Sequence, residues 1–227
     1  KDNLFGKYID QDDLSIYIEI IEKIKPDIIH IHGTESPFIS LIGKTKIPIA
    51  VSVQGSSTIY SQKYYTGIEV KYGHLRQTKL LHPITWIFNK SYNNKYKLLL
   101  RDKSREIRNV ISCKNIIGRT DWDRRITRIM APESLYYHCG EILRDSFYHH
   151  RWKFHDNTRL IVHTTTGENL YKGFETICQA LNELNKINID IEWRVAGISE
   201  GSLLNSVVKR KLKSSYPSKG LVLLGSI

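Results

Sequence analysis

The chain is short of sulfur, of long apolar runs and, in one region, of acid, and each shortage narrows what it can be. Three cysteines, Cys113, Cys139 and Cys178, are spread over 227 residues. Odd in number and far apart, they offer neither a disulfide framework nor a metal-ligand or redox pair, and they read as buried thiols of a reducing cytoplasm. No window approaches the roughly 18 unbroken apolar residues of a spanning helix. The opening KDNLFGKYIDQDD does not read as a signal peptide. Acid is scarce between Tyr60 and Arg128, where five Asp or Glu face sixteen Lys or Arg, while the rest of the chain holds eighteen of each sign. The net charge of +11 therefore belongs to one segment, a surface suited to an anionic partner: membrane lipid, nucleic acid or a charged substrate.

What is present alternates in hydrophobic period. Asp12 and Asp13 are expected to cap a helix with Leu14, Tyr17, Ile18, Ile21 and Ile24 on its apolar face, stopped by Pro26. DIIHIH (27–32) and Ile47–Val53 are nearly unbroken β-branched runs, as in a parallel sheet, with a short helix through Phe38–Ile42 between them. Tyr60–Tyr72 has no clean period. From Pro83 to Val110 the pattern is helical, its outer side carrying Lys90, Lys95, Lys97, Arg101, Lys103, Arg105 and Arg108. A strand at Asn115–Gly118, a helix to Met130 and a strand at Ser134–Cys139 follow, and then a connector. From Arg159 onward strand, helix, strand, helix and strand make a βαβαβ unit, half of a doubly wound nucleotide-binding domain. The domain boundaries read as 1–150, a connector at 151–157 and 158–227.

In open α/β sheets ligands bind outside the carboxyl ends of the strands. Those ends are His32–Glu35, Gln54–Ser57 and Arg119–Asp123 in the first half, and Thr164–Lys172, Gly197–Glu200 and Gly225–Ser226 in the second. The stretch TTTGENLYKG (164–173) hands a buried strand to a helix with Phe174, Ile177, Cys178, Leu181 and Leu184 on one face. Free N–H groups, the helix dipole and Lys172 favour an anion there, although a plain Gly-Glu-Asn turn would look similar. It is not a P-loop, since no Gly-Lys-Ser/Thr follows.

Taken in order, PDIIHIHGTE, IPIAVSVQGSS, NIIGRTDWDRR, RLIVHTTTGENLYKGFETICQALNEL, WRVAG and LVLLGSI resemble the retaining family-4 glycosyltransferases of GT-B fold. The resemblance implies two Rossmann-like domains with parallel sheets facing across a cleft, the second half present, and both ends of the family fold lying outside the chain. On that basis the 227 residues alone are expected to turn over little. It also implies a sugar nucleotide as donor substrate, its diphosphate held by Gly167, Asn169, Lys172, Gly173 and Gly197, with no cofactor and no metal. The family's Arg a few residues before the lysine is absent, Gly167 and Glu168 standing there, and Arg119 is the candidate stand-in.

On the first domain the candidate catalytic residues are His32, Glu35 and Arg119, with Gln54, Gly55, Ser56 and Asp121 on the acceptor side. Each has a plainer reading. His30 and His32 alternate along a strand, so one can be a packing residue. Gln54-Gly55 can be a turn, and Arg119 can pair with Asp123. Asp121-x-Asp123 fits a helix N-cap with a second acid better than a metal site, and Glu141 and Arg144 fit a structural role near the connector. The implied function is transfer of a sugar, with retention, to a glycan or lipid-linked acceptor in surface polysaccharide or glycolipid synthesis, in the cytoplasm at the inner membrane face. The segment 60–128 would make the membrane contact. A GT-B sugar-nucleotide epimerase is the alternative within the fold. A non-catalytic membrane- or nucleic-acid-binding module is the alternative outside it. Nucleic acid ranks below the sugar nucleotide, because the tyrosines of 60–72 form no RNA-binding or helix-turn-helix arrangement.

Overall fold

A computed structural model describes residues 14–71, 92–151, 153 and 159–226. They gather into two compact units, 14–62 with 96–151, and 63–71 with 92–95, 153 and 159–226. Each unit is built on its own parallel sheet.

The first sheet holds β1 (Ile29–His32), β2 (Ile49–Ser52), β3 (Asn115–Gly118) and β4 (Leu135–His138), side by side in chain order. All neighbours are parallel, with His32 opposite Ser52 and Gly118 opposite His138. Parallel neighbours demand crossovers, and the crossovers supply the cover. Ile39 from a 3-10 turn (Pro37–Leu41), Val110 from α3 (Tyr92–Val110), and Met130 and Ala131 at the end of α4 (Asp121–Met130) pack with Ile31, Val51 and Ile116. One face of the sheet therefore carries the core. The two-residue period turns His30 and His32 to the other face, where both are exposed.

Helix α1 (Ser15–Ile24) ends in Lys25, whose left-handed backbone returns its N–H to the Ile21 carbonyl. The capping pair expected for it, Asp12 and Asp13, lies outside the described residues. Its apolar stripe is only partly covered, with Leu14 buried but Tyr17 and Ile24 exposed. The aperiodic stretch from Tyr60 begins inside a helix, α2 (Ser57–Lys63). A local cap and a distant partner support that helix: the Ile59 N–H donates to the Ser56 hydroxyl at 3.4 Å, and the Thr58 N–H to the Glu106 carboxylate at 2.7 Å. The part of the long helix expected from Pro83 to residue 91 is also outside the described residues. Arg105 is not on the solvent side of α3: it is 6% exposed and donates to the Glu35 carbonyl at 3.0 Å. Past β4 the chain makes a five-residue helix, α5 (Asp145–His149), with every residue exposed.

The second sheet is β5 (Leu160–Thr165), β6 (Ile191–Ala196) and β7 (Leu221–Gly225), parallel and in chain order. Helices α6 (Phe174–Lys186) and α7 (Leu203–Leu212) complete the βαβαβ pattern. Phe174, Cys178 and Leu181 on α6 and Leu204, Val207 and Val208 on α7 are fully buried, each worth roughly 1.5–3 kcal/mol for the larger side chains. Burial pushes the Cys178 thiol up to about 12 and raises that of Cys113, so both are inert. Cys139 departs from the expectation of three buried thiols: it lies just past β4 and is exposed.

Candidate functional site

In the first unit the carboxyl ends of all four strands surround a hollow of about 450 Å³. His30, His32, Ser52, Gln54, Arg119 and Glu141 are among its lining residues. The two imidazoles stack with centroids 4.2 Å apart, and His30 Nε2 lies 2.6 Å from the Ser52 hydroxyl. His30 is thereby the tethered imidazole, and His32 stands at the strand's end. The Arg119 guanidinium donates to Glu141 Oε1 at 2.6 Å, while its backbone N–H donates to Asp123 Oδ2 at 2.8 Å. The side-chain Arg119–Asp123 pair is thus replaced by an Arg119–Glu141 pair inside this unit, and Asp123 serves the backbone. With Thr120 it forms a capping box at the start of α4, Thr120 Oγ1 accepting from the Asp123 N–H and Asp123 Oδ2 from the Thr120 N–H. Asp121 stands apart from the hollow, exposed in the first turn of α4 and paired to Arg124 and Arg125 at 2.7 and 2.9 Å. Those side-chain bonds hold its carboxyl below the usual range.

Glu35 is half-buried, next to the buried Gly33 and Thr34. Burial raises its carboxyl above the ordinary range and nearby Glu106 adds to the shift, while the N–H groups of Glu35 and Gly55 pull it back. Its Oε2 is buried with no hydrogen-bond partner among the described residues. Gly55 is required by a close approach, since a Cβ there would stand 2.5 Å from the Tyr60 hydroxyl. Burial, then Glu35 and Glu106, raise that phenol. Ser56 is buried and donates to Glu106.

Glu106 is the residue that sequence reasoning missed. It is fully buried on α3 and receives Thr34 Oγ1 at 2.5 Å, Ser56 Oγ at 3.1 Å, and the N–H and hydroxyl of Thr58 at 2.7 and 2.6 Å. The available signal was an acid on the apolar side of a helix, four residues before Val110 and seven after Leu99.

In the second unit Thr166, Gly197 and Gly225 bring the strand ends together. The Thr166 N–H donates to Ala196 O at 2.9 Å, and the Gly197 N–H to Gly225 O at 2.6 Å. Gly197 has φ +92°, and any Cβ on it would run into the Thr166 carbonyl oxygen. Gly167 has nearly open space around it, and Asn169 introduces a 3-10 turn, Leu170–Lys172. Gly173 (φ +76°) turns the chain into α6 as its N-cap. Lys172 is thus at the start of α6, exposed, its ammonium 5.6 Å from the Tyr171 ring centroid, with no acidic partner among the described residues. The helix end already has one anion of its own. Glu175, in the first turn, is 5% exposed, and burial raises its carboxyl while its own N–H and Lys211 oppose the rise. Among the described residues no group of three or more His, Cys, Asp or Glu is placed to hold a metal ion.

No protein-family model matches the sequence, and no curated protein matches it. Solved structures do. TarM matches with a TM-score of 0.56 and 11% identity over 94% of this chain and 36% of TarM. Medicago truncatula UGT71G1 complexed with UDP-glucose matches with a TM-score of 0.39 and 10% identity over 95% of this chain and 53% of its own. That second likeness is too loose to carry weight. The first shows the fold class alone: a mixed α/β chain with two parallel sheets, matching GT-B glycosyltransferase structures. The chain spans about a third of TarM's length, 36%.

Proposed function

We propose that the chain belongs to a retaining glycosyltransferase of the family-4 kind, with the sugar-nucleotide diphosphate taken up by the second unit and the acceptor by the first. The observation that carries this reading is the turn between β5 and α6, where an exposed Lys172, with no acidic partner among the described residues, stands between Gly167 and Gly173 at a helix start. Breaking a sugar–diphosphate bond leaves negative charge on the departing phosphate. A lysine and free N–H groups at a helix start stabilise that charge where it develops. His32, Glu35 and Gln54–Ser56 would then orient an acceptor hydroxyl.

Lys172→Ala tests the donor half. One charge-assisted contact is worth roughly 1.5–3 kcal/mol. Calorimetry with a nucleoside diphosphate should therefore show about 10- to 100-fold weaker binding, with Lys172→Arg keeping part of it. Equal affinity in parent and Lys172→Ala would make the loop a turn and nothing more. Epimer formation in place of transfer would move the protein to the epimerase reading.

A second observation bears on where the acceptor waits. Along α3, Lys97, Arg101 and Arg108 alternate with Leu100, Ile107 and, just past the helix, Ile111, all exposed. Their spacing puts basic and apolar side chains on one stripe, the pattern of a helix that lies on an anionic membrane surface. No helix among the described residues is long and apolar enough to cross a membrane. This stripe supports peripheral contact at the cytoplasmic leaflet, with a lipid-linked acceptor and a product for the cell surface. Each engaged cation contributes about 1 kcal/mol. Co-sedimentation with anionic vesicles should be strong at low salt and lost at high salt; no binding at low salt would remove this contact.

A further inference from the structure

Glu106 has a role that no strand-end motif announces. A buried carboxylate is costly unless hydrogen bonds replace its lost hydration, and this one has four donors divided by loop. Oε1 takes Thr34, beyond β1. Oε2 takes Ser56 and both donors of Thr58, beyond β2. The spacing of the two loops is therefore set by the width of one carboxylate. Thr34 makes the tie tighter, because its hydroxyl stands 2.5 Å from Glu106 Oε1 and 2.8 Å from the Gly55 carbonyl. The neighbouring Arg105 adds a second strut, donating to the Glu35 carbonyl at 3.0 Å and pairing with Asp102 at 2.9 Å. Neither Glu106 nor Arg105 lines the hollow.

We propose that Glu106 is the positioning residue of the first unit's site: one carboxylate, delivered from beneath by α3, that holds the loop bearing His32 and Glu35 at a fixed distance from the loop bearing Gln54, Gly55 and Ser56. Its functional meaning rests on the acceptor-side reading of those loops; its geometry does not. The charge is matched to its place, since a carboxylate at the first turn of α2 also satisfies that helix's free N–H at Thr58. An amide side chain of the same shape can keep its carbonyl towards Ser56 and Thr58 and turn its NH2 to the Thr34 hydroxyl, but it loses the negative charge that strengthens all of these bonds.

The test is amide exchange on the 227-residue chain carrying Glu106→Gln. Thr58 loses its charged acceptor, so its amide, with those of Gly33–Ser36, should exchange at least about tenfold faster. The amides of β1, β2 and β3 should keep parental rates. Parental exchange in both loops, or equal acceleration in loops and strands, overturns the proposal, the second because it marks Glu106 as general ballast. If Glu106→Gln does not fold, Thr34 decides. Thr34→Val should loosen residues 33–36 and Thr34→Ser should restore them; identical exchange in the two variants overturns the proposal. Nucleoside-diphosphate affinity, measured on the same Glu106→Gln sample, should equal the parent's. If the parent binds no nucleoside diphosphate while the loop pattern appears as stated, the transferase reading fails and the positioning role of Glu106 stands.

Discussion

Both pairs of loops are tied by backbone bonds at the strand ends, Gly33 N–H to Ser52 O and Val53 N–H to Ile117 O in the first unit as Thr166 N–H to Ala196 O in the second. The loops beyond β1 and β2 also share one buried carboxylate, Glu106. In the first unit Glu106 and Arg105 reach the loops from α3, and the close approach at Gly55 is to the tip of Tyr60. In the second, carbonyl-to-amide bonds link Thr166, Ala196, Gly197 and Gly225 directly, and the close approach at Gly197 is to another backbone. The difference has a mechanical consequence. A side-chain tie can loosen locally, because a rotamer can change. A backbone tie holds until the strands themselves move.

Substitution at the two glycines is the sharpest way to break that contrast, and the largest effect is expected at Gly197. Gly197→Ala forces a Cβ into a left-handed site and onto a carbonyl oxygen. The cost should be at least ~3 kcal/mol, or roughly 6–12 °C in melting temperature for a chain of this size. Gly55→Ala meets a tyrosine that can swing away and should cost about 1–2 kcal/mol. Equal losses by calorimetry would erase the distinction.

Next in size is the capping box, a local tie of the first unit. Asp123→Ala removes the acceptor for the N–H groups of Arg119 and Thr120 and should cost about 2 kcal/mol, read as a lower urea midpoint. The Arg119–Glu141 pair should persist, since it does not use Asp123. A loss of arginine orientation along with the cap would couple two features that stand separate.

A smaller effect, one that low pH removes, is expected at Glu175. Its folded-state pKa is raised, chiefly by burial, so between the unfolded and folded values the native protein binds more protons than the unfolded chain. Stability then falls as pH rises through that window. Glu175→Gln should melt higher than the parent at pH 7 and no higher near pH 4, where both side chains are neutral. A gain that persists unchanged at pH 4 would trace the effect to shape instead of charge. The smallest effect belongs to Asp121→Ala, which removes exposed ion pairs to Arg124 and Arg125. The melting temperature should stay within error in salt, and a clear drop would show that α4 leans on those pairs.

Much of the second unit could be read from the chain. Helix α6 begins at Phe174, and of its expected apolar face Phe174, Cys178 and Leu181 are fully buried while Ile177 and Leu184 are half-buried. The strand ends of the first unit were equally visible, and His32, Gln54 and Arg119 do meet in one hollow. What escaped was everything held by a partner far along the chain. Arg105 reads as a surface cation by its charge, yet is buried under Glu35. Cys139 reads as a buried thiol by habit of residue type, yet follows an edge strand and is exposed. Glu175 looks like an ordinary acid in a first turn, which is favourable at the surface, and is instead 5% exposed.

The sequence by itself determined the parallel α/β class, the order of the strands, the loops at their carboxyl ends and the placing of Lys172 before α6. Each of these follows from period and neighbours within about a dozen residues. Tertiary structure alone decided that Arg119 would pair with Glu141 and that Glu106 would lie beneath two loops. Thr34 and Glu106 are 72 positions apart, Thr58 and Glu106 48. A buried polar group is stable only where its donors converge, and convergence over such separations is a property of the packed sheet and helix, with no trace in any local pattern.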